Sequence, residues 1–499
     1  MAAKAKATKR ALEEANGVSL KNGSHANDKS KRLKSSSQRA VIPQSLLEAL
    51  YSPSNTLKLW HVARKSLGST TPPVLYPETT AKDGTYIYRN LDFWTSGFFP
   101  GSLYLLLERQ LKYRFSITTQ PSLPTLHPLQ LKHLSEWWTA NLHQNATKRD
   151  THDVGFMIAP WALKAWSLHR DPQAYSSLIL AAHSLASRFD EKVQSLRSWD
   201  IVHTKVYSYT DPSKDFLVII DNMLNLELLF WVANETGDQS LYEKAIAHAR
   251  TTAKYHIRDD KSTAHVVNYD TETGTPKAIF THQGYSNDSC WSRGQAWGIL
   301  GFMQTYQWTK ESEFLTTARE LADYFLSRLP GDRVPYWDFD APVNERTPRD
   351  TSAGMVAACG LVMLYQELKD GDEGAARHYL DAALGILEGT VRGYMTPDVG
   401  EFGVDLTGTD LETCPETEPL KQPGTLIVTT RKDTNGVSGN TNGNASRAVK
   451  VPETILNGAT VCNYEHASRR WADHGLVYAD YYFLLLGNML LEMGLVSQV

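Results

Sequence analysis

The stretch from Thr351 to Tyr365 reads TSAGMVAACGLVMLY, and it decides the fold. It is long enough for a helix and apolar nearly all round, so a helix here must be covered on every side. Two more stretches share this character: Trp291 to Tyr306 (WSRGQAWGILGFMQTY) and Phe216 to Val232 (FLVIIDNMLNLELLFWV). The sequence therefore predicts several helices that are buried on all sides.

An amphipathic segment follows each of these buried segments. Such segments carry apolar residues at helical spacing, as in Leu241, Ala245, Ala249 and Ala253, or in Phe314, Ala318, Leu321, Ala322 and Phe325. Buried and half-exposed helices in succession predict helical hairpins that each have one inner and one outer helix. About six pairs fit between Ser45 and Met493. We therefore expect an all-α fold, an (α/α)6 barrel or six-hairpin toroid; an open solenoid is the alternative.

Short strand patterns lie between the predicted helical hairpins. His265 to Asp270 and Lys277 to Gln283 flank the turn-forming stretch Thr271 to Thr275 (TETGT). Strand-like runs around such a turn are typical of a β-hairpin. The sequence thus predicts short β-hairpins in the loops that connect the helices.

The charge distribution divides the chain into two parts. Residues 1–40 carry ten Lys or Arg against three Asp or Glu, and they are poor in large apolar side chains, which predicts a disordered basic tail. Residues 41–499 are expected to form one catalytic barrel domain with a flexible Asn/Gly-rich loop at 434–445. The overall net charge of -4 leaves -11 for this domain, which argues against a nucleic-acid partner. The tail could hold a nuclear address, but a solvated arm is the favoured interpretation.

Several features indicate a cytoplasmic protein that has neither metal nor cofactor. No apolar run is long enough to span a bilayer, and the N-terminus carries charges where a signal peptide would be apolar. Cys290, Cys359, Cys414 and Cys462 lie far apart, without disulfide or zinc spacing, so we expect reduced thiols. No phosphate-binding glycine loop is present. We expect a monomer or weak homo-oligomer with no membrane partner.

Two aspartates stand out as candidate catalytic residues. Asp153 lies at the start of an apolar helix, where it is either a helix cap or a catalytic carboxylate. Asp221 interrupts an apolar run, where an unpaired buried charge is costly and needs a second carboxylate or a ligand to justify it. If both inner helices begin at one rim of the barrel, repulsion and burial raise the pKa of one carboxyl group.

The remaining site candidates each have a plain structural alternative. Thr281 and Gln283 would point to one side of a predicted strand, toward a pocket. Arg293 offers a fork for a carboxylate, or it forms an ion pair with a neighbouring aspartate. Trp297 offers a surface for a sugar ring, or it packs in the core. The same two interpretations apply to Trp94 and Trp199, and His265 is either a substrate donor or a structural residue.

An ordered set of motifs resembles glycoside hydrolase family 88, the unsaturated glucuronyl hydrolases. In chain order these motifs are HDVGF (152–156), IIDNMLNL (219–226), His265, THQG (281–284) and WSRGQAW (291–297), followed by WDFDAP (337–342) and RDTSAGMVAACGL (349–361). The resemblance covers residues 45 to 495. It implies the (α/α)6 barrel and an unsaturated uronic-acid oligosaccharide, produced by a polysaccharide lyase, as the substrate.

The resemblance also implies roles for the candidate residues. Asp221 would be the general acid/base, and Asp153 the second carboxylate that positions it and the substrate. The residues implied to contact sugar are the stacking rings Trp94, Trp199 and Trp297 and the polar groups His265, Thr281, Gln283 and Arg293. In the implied mechanism, an acid protonates C4 of the vinyl ether and water adds at C5. The resulting hemiketal then opens and releases the remaining saccharide.

Three alternatives remain open from the sequence. An unsaturated rhamnogalacturonyl hydrolase would share the barrel and the chemistry but take pectin fragments. A sugar 2-epimerase would need paired cavity histidines, whereas His265 is the one histidine that the sequence marks for the cavity. A non-catalytic sugar-binding toroid would be indifferent to loss of Asp221.

Overall fold

The computed structural model describes residues 42–405 except 115–116 and 118–125, residues 425–430, and residues 451–496 except 468. The predicted basic tail at 1–40, the Asn/Gly-rich loop at 434–445 and Cys414 lie outside the described residues. The described residues belong to one compact unit that begins at Val41.

Most of the described chain is helical. In chain order the helices are α1 (Gln44–Leu50), α2 (Pro53–Arg64), α3 (Phe98–Lys112), α4 (Pro128–Thr139), α5 (Val154–His169), α6 (Pro172–Ala186), α7 (Leu226–Thr236), α8 (Gln239–Tyr255), α9 (Ser292–Thr309), α10 (Ser312–Ser327), α11 (Thr351–Leu368), α12 (Glu373–Tyr394) and α13 (Val477–Glu492). Short 3-10 helices occur at Lys65–Gly68, Leu142–Thr147 and Ile220–Asn225.

The helices alternate between buried and half-exposed, as their apolar patterns predict. In α11 every residue from Thr351 to Leu364 is buried, whereas α10 buries a single stripe made by Phe314, Ala318, Leu321, Ala322 and Phe325. An apolar stripe on one side suits a helix that covers the outside of a barrel. The inner helices are α3, α5, α7, α9, α11 and α13.

The inner helices form a closed ring. Helix α3 packs on α5, α5 on the segment 220–236, this segment on α9, α9 on α11, α11 on α13, and α13 back on α3. Each inner helix also packs against an outer helix, as in the pairs α5 with α6 and α11 with α12. This closed order confirms the prediction of a six-hairpin barrel and excludes the open solenoid.

Short antiparallel strands occupy the connecting loops. They are β1 (Leu75–Thr80), β2 (Tyr86–Asn90), β3 (Phe189–Asp190), β4 (Ser195–Leu196), β5 (Val202–His203), β6 (Ser208–Tyr209), β7 (Asp215–Ile219), β8 (Val266–Asp270), β9 (Pro276–Phe280), β10 (Val399–Asp405) and β11 (Thr425–Thr430). Strands β7, β8 and β9 form one three-stranded sheet, in which Ile219 pairs with Val266 and Val266 with Phe280. The β-hairpin predicted across Thr271 to Thr275 is confirmed.

One predicted helix is wrong in the first half of its range. The stretch from Phe216 to Val232 starts as β7, continues as the 3-10 helix Ile220–Asn225, and becomes α-helical only at Leu226. Strand β7 is buried from Phe216 to Ile219, so it is apolar on both faces and shows no strand alternation. Asp221 therefore lies in a tight turn of 3-10 helix at the end of a strand.

Candidate active site

The N-terminal ends of the inner helices meet at one rim of the barrel. Trp94, which precedes α3, contacts Tyr478 at the start of α13 with 5.1 Å between ring centroids. Phe156 in the first turn of α5 contacts Trp297 in α9, with 5.5 Å between centroids. Arg293 at the start of α9 forms an ion pair with Asp350, which caps α11. Residues that are far apart in the sequence therefore surround one region.

Asp153 occupies the position that caps α5, but its side chain accepts no hydrogen bond from the helix. One carboxylate oxygen accepts from the Thr151 hydroxyl at 2.6 Å, and the other lies 3.2 Å from Nε2 of His152. Burial raises the pKa of Asp153, but the charge and hydrogen bond of His152 and the Thr151 hydroxyl outweigh this and lower it overall. Asp153 is thus held as an anion, and the interpretation of Asp153 as a simple helix cap is wrong.

Asp221 has the opposite electrostatic environment. Its Oδ1 is enclosed and has no hydrogen-bond partner among the described residues. The pKa of Asp221 is raised to about 6, mainly by burial; the charges of His152 and Arg293 oppose this rise, and the charge of Asp153 adds to it. Because the charge of Asp153 acts on Asp221, the two carboxyl groups share one electrostatic site. Asp221 is the group that can carry a proton near neutral pH.

A short segment around Ser198 links the two acid-bearing segments. The carbonyl of Ser198 accepts a hydrogen bond from the backbone N–H of His152 at 3.1 Å, and the Ser198 hydroxyl accepts one from Ile219 N–H at 2.9 Å. The next residue, Trp199, bridges the backbones of Thr151 and Leu217. Its ring stays partly exposed. Ser198 and Trp199 thus fix the Asp153 loop against the strand that leads to Asp221.

His265 lies beside Asp221 through the backbone, since its carbonyl accepts from Ile220 N–H at 3.1 Å. Its Nδ1 accepts from the N–H of His282 at 3.1 Å, which leaves the proton of a neutral ring on Nε2. That Nε2 is buried and has no partner among the described residues. Burial holds the pKa of His265 well below its usual range. A neutral donor is therefore available next to the acid pair.

Arg293 is a fully enclosed charge of the rim. Its guanidinium pairs with Asp350 and donates to the carbonyls of Thr460 and of Val461, the latter at 2.7 Å, and both charged side chains are at most 1% exposed. The ion pair with an aspartate, which the sequence left open as the alternative, is therefore present. The charge of Arg293 still acts on Asp221 and opposes the rise of its pKa.

Aromatic side chains pack against one another at the same rim. Phe156 and Trp94 have ring centroids 5.6 Å apart, and Trp297 and Tyr482 are 5.5 Å apart. Trp94 is partly exposed, whereas Trp297 is fully buried, so the ring of Trp297 packs as core in this structure. Low polarity around two carboxyl groups favours one proton shared between them over two charges. The rim is therefore suited to acid catalysis on a molecule with flat apolar faces.

Sequence comparison places the chain among proteins of one activity. Although no family model matches it, the unsaturated glucuronyl hydrolase of Formosa agariphila is 36% identical over 299 residues, or 59% of this chain and 67% of that protein. The unsaturated chondroitin disaccharide hydrolase of Streptococcus pneumoniae is 30% identical over 376 residues, or 72% of this chain and 89% of that protein. The chain belongs to the unsaturated glucuronyl hydrolase family. The family resemblance of the sequence motifs is confirmed.

Structure comparison agrees with this family and its barrel. The crystal structure of an unsaturated glucuronyl hydrolase specific for heparin superimposes with a TM-score of 0.67 at 28% sequence identity. The match covers 92% of this chain and all of that one. The unsaturated glucuronyl hydrolase fold therefore extends over most of this chain.

The strand predicted from Lys277 to Gln283 is wrong at its C-terminal end, because β9 stops at Phe280, before Thr281 and Gln283. The hydroxyl of the buried Thr281 accepts from Gly284 N–H at 2.8 Å and so closes a turn. Gln283 donates from its amide to the carbonyl of Val461 at 2.8 Å. Thr281 therefore closes a turn and Gln283 connects two loops at the rim of the unsaturated glucuronyl hydrolase barrel, which accounts for their polar character without a ligand.

The sequence missed three residues of this rim. His152 has the clearest signal, because it adjoins Asp153 in the HDVGF motif, and the structure pairs the two side chains. Its presence adds a second rim histidine beside His265. Tyr478 is fully buried, and its hydroxyl has no hydrogen-bond partner among the described residues. Asp350 pairs with Arg293. Tyr478 lies in an apolar run and Asp350 at a helix cap, and neither sequence context indicates the site.

In the segments that the structure describes, no group of three or more His, Cys, Asp or Glu side chains is arranged to hold a metal ion. No described helix combines the length and the apolar character needed to cross a bilayer.

Proposed function

We propose that this chain releases the terminal 4,5-unsaturated uronic acid from oligosaccharides that polysaccharide lyases produce. One observation supports the proposal most strongly: the pKa of Asp221 is raised to about 6 while that of its neighbour Asp153 is lowered. Two carboxyl groups whose environments move their pKa values apart are suited to act as an acid and an anion at one pH. We therefore assign catalysis to this pair.

The proposed reaction begins with proton transfer from Asp221 to C4 of the vinyl ether. Positive charge then develops at C5 and the ring oxygen, where the anion of Asp153 stabilises it. Water adds to C5 and returns a proton to the carboxylate of Asp221, which restores the acid. The hydrate is a hemiketal; when its ring opens, C1 becomes a hemiacetal that expels the remaining saccharide.

Substrate contacts follow from which groups remain available. The buried Nε2 of His265 has no protein acceptor among the described residues, so we propose that it donates to the uronic acid. Trp94 and Trp199 keep part of their rings exposed, which suits stacking on sugar. Trp297 would support these contacts from behind. Arg293, Gln283 and Thr281 would shape the pocket through the loops that they hold.

We propose glycosaminoglycan fragments as the substrate class. The supporting observations are the names of the relatives, which include chondroitin disaccharide hydrolases and a heparin-specific enzyme. We further propose a cytoplasmic enzyme, because the described cysteines Cys290, Cys359 and Cys462 are all free and buried, as in reducing compartments. The proposed oligomeric state is a monomer or a weak homo-oligomer. Cell fractionation and size-exclusion chromatography would test this placement; recovery in a secreted fraction would contradict it.

The activity test uses the conjugated double bond of the substrate, which absorbs at about 235 nm and is lost on hydration. Unsaturated disaccharides from chondroitin, heparin and pectin would be incubated with the full chain. We expect loss of absorbance on a glycosaminoglycan product, and a kcat that Asp221→Asn lowers by about 10²- to 10⁴-fold. Asp370→Asn, an exposed change far from the site, is the control. Loss on the pectin product alone would favour the rhamnogalacturonyl alternative, and no loss on any substrate would remove the proposal.

The pH dependence gives a second test of the same assignment. Because the active form carries a proton on Asp221, kcat/KM should fall as the pH rises through about 6. The negative charge of Asp153 contributes to the raised pKa of Asp221, so Asp153→Asn should move this decline to lower pH as well as slow the reaction. A decline that stays in place in Asp153→Asn would contradict the coupling of the two acids.

A further inference from the structure

Helix α5 begins in an unusual way. Asp153 is placed at the capping position, where an aspartate normally accepts from the second or third N–H of the helix. Here the carboxylate contacts Thr151 and His152 and makes no capping bond. The free N–H groups at the start of α5 therefore need another acceptor.

That acceptor comes from the segment that carries the other acid. Oδ1 of Asn225 accepts a hydrogen bond from Phe156 N–H, the third of the helix, at 3.0 Å. Asn225 is 1% exposed and ends the 3-10 helix Ile220–Asn225, four residues after Asp221. One side chain from the Asp221 segment thus caps the helix that begins after Asp153.

The approach of the two segments requires a glycine. A Cβ atom on Gly155 would lie 2.1 Å from Oδ1 and 2.9 Å from Cβ of Asn225. Any larger residue at 155 would push the 3-10 helix away from α5, since these contacts are far inside van der Waals distance. Gly155 of HDVGF and Asn225 of IIDNMLNL therefore form one close contact, in which the lack of a side chain at 155 makes room for the side chain at 225.

We propose that Asn225 is a positioning residue that caps α5 in place of Asp153, so that the Asp153 carboxylate stays on Thr151 and His152 and the two acid-bearing segments keep a fixed separation. The proposal deepens the function proposed above and rests on it for its catalytic consequence. In this role Asn225 contacts neither the substrate nor the reacting atoms. It acts through the two acids, because it belongs to the backbone segment of one and bonds to the helix of the other.

Removal of the amide group has a defined consequence. In Asn225→Ala the N–H of Phe156 loses its acceptor, and the carboxylate of Asp153 is placed to replace it. A capping Asp153 would leave His152 and withdraw its charge from Asp221. The pKa of Asp221 would then fall, since that charge contributes to its rise. Both acids would be impaired by a change that removes neither of them.

The test compares Asn225→Ala with two other variants. Asn225→Asp keeps an acceptor oxygen in the same place, and Asp238→Ala removes an ordinary cap, which accepts from Ser240 N–H at 3.0 Å at the start of α8. For each full-length protein, kcat and KM on an unsaturated chondroitin disaccharide would be measured from about pH 4.5 to about pH 8. A thermal midpoint would be recorded alongside.

We expect a different result from each of the three variants. Asn225→Ala lowers kcat at least about tenfold with KM within about threefold, and moves the decline of kcat to lower pH. Asn225→Asp recovers most of kcat and moves the decline to higher pH, because it adds a negative charge near Asp221. Asp238→Ala lowers the thermal midpoint without moving the pH profile. If Asn225→Ala lowers only the midpoint, as Asp238→Ala does, the side chain is an ordinary structural cap and the proposal is overturned.

A crystal structure of Asn225→Ala separates this inference from the proposed function. We expect the Asp153 carboxylate within hydrogen-bond distance of the N–H of Gly155 or Phe156, whatever the substrate is. A carboxylate that remains on Thr151 and His152 overturns the positioning role even in an active enzyme. If Asn225→Ala does not fold, an unchanged pH profile in Asn225→Asp overturns it instead. A wild-type chain inactive on every lyase product would remove the proposed function alone.

Discussion

Replacement of Asp221 by asparagine should stabilise the protein in a pH-dependent way. The substitution keeps the size of the side chain but removes an ionisable group whose Oδ1 is enclosed without a partner among the described residues. Burial raises the pKa of this carboxyl from 3.8 to about 6. The folded protein therefore binds the proton more tightly than the unfolded chain, and folding is penalised once the pH is high enough to remove it.

The size of the effect follows from the raised pKa. A tenfold change in proton affinity corresponds to about 1.4 kcal/mol, so a rise from 3.8 to about 6 costs the ionised folded state about 3 kcal/mol. The penalty is fully present above about pH 7 and falls to about 1 kcal/mol at about pH 4.5, where the folded protein keeps its proton. Asp221→Asn should lack this penalty at every pH.

The measurement is equilibrium unfolding by urea, followed by tryptophan fluorescence, at about pH 4.5 and about pH 7.5. The difference in unfolding free energy, Asp221→Asn minus wild type, should be larger at the higher pH by about 2 kcal/mol. Asp370→Asn, an exposed charge removal, controls for the general effect of net charge. A difference that is the same at both pH values, or that grows toward acid, would refute the assignment of Asp221 as the buried acid.

Two further predictions concern contacts at the rim. Gly155→Ala places a Cβ 2.1 Å from Oδ1 of Asn225 and should lower the unfolding free energy by about 1–3 kcal/mol in the same urea assay. The control is Gly374→Ala in α12, where the nearest atom to the new Cβ is 3.9 Å away, and this change should be neutral or slightly stabilising. Arg293→Met and Asp350→Leu should each cost about 3–5 kcal/mol, because each leaves a buried charge unpaired. The double variant should cost less than the sum, and strict additivity would count against the ion pair.

The helical framework was predictable because the burial of a helix determines where its apolar and charged residues lie in the sequence. The five apolar residues of α10 recur at helical spacing, and α11 lacks charged residues until its last turn, so the sequence separates outer from inner helices. The same reasoning fails for Phe216 to Val232. A strand buried on both faces, a 3-10 turn and a buried helix are all apolar throughout, so periodicity cannot divide them.

The carboxyl pair was predictable from the sequence, and its surroundings were not. Asp153 stands at the start of an apolar helix and Asp221 interrupts an apolar run, and both positions are a local signal of an unusual charge. The contacts that tune them are long-range: Asn225 reaches Phe156 across 69 positions, and Arg293 reaches Asp350 across 57. Such pairings follow from which helix ends meet at the rim, and that depends on the closure of the whole ring.

Closure of the ring by α13 also sets a constraint on biosynthesis. Helix α13 is the inner neighbour of both α11 and α3, so the face of α3 that packs on α13 has no partner until residues 477–492 have been made. At about 5–20 residues per second, a ribosome that has finished α3 needs roughly 20–70 s to reach Val477. We therefore expect the nascent chain to depend on chaperone protection through that interval, and a time course of chaperones bound to the chain during synthesis should show release only after residues 477–492 have left the ribosome.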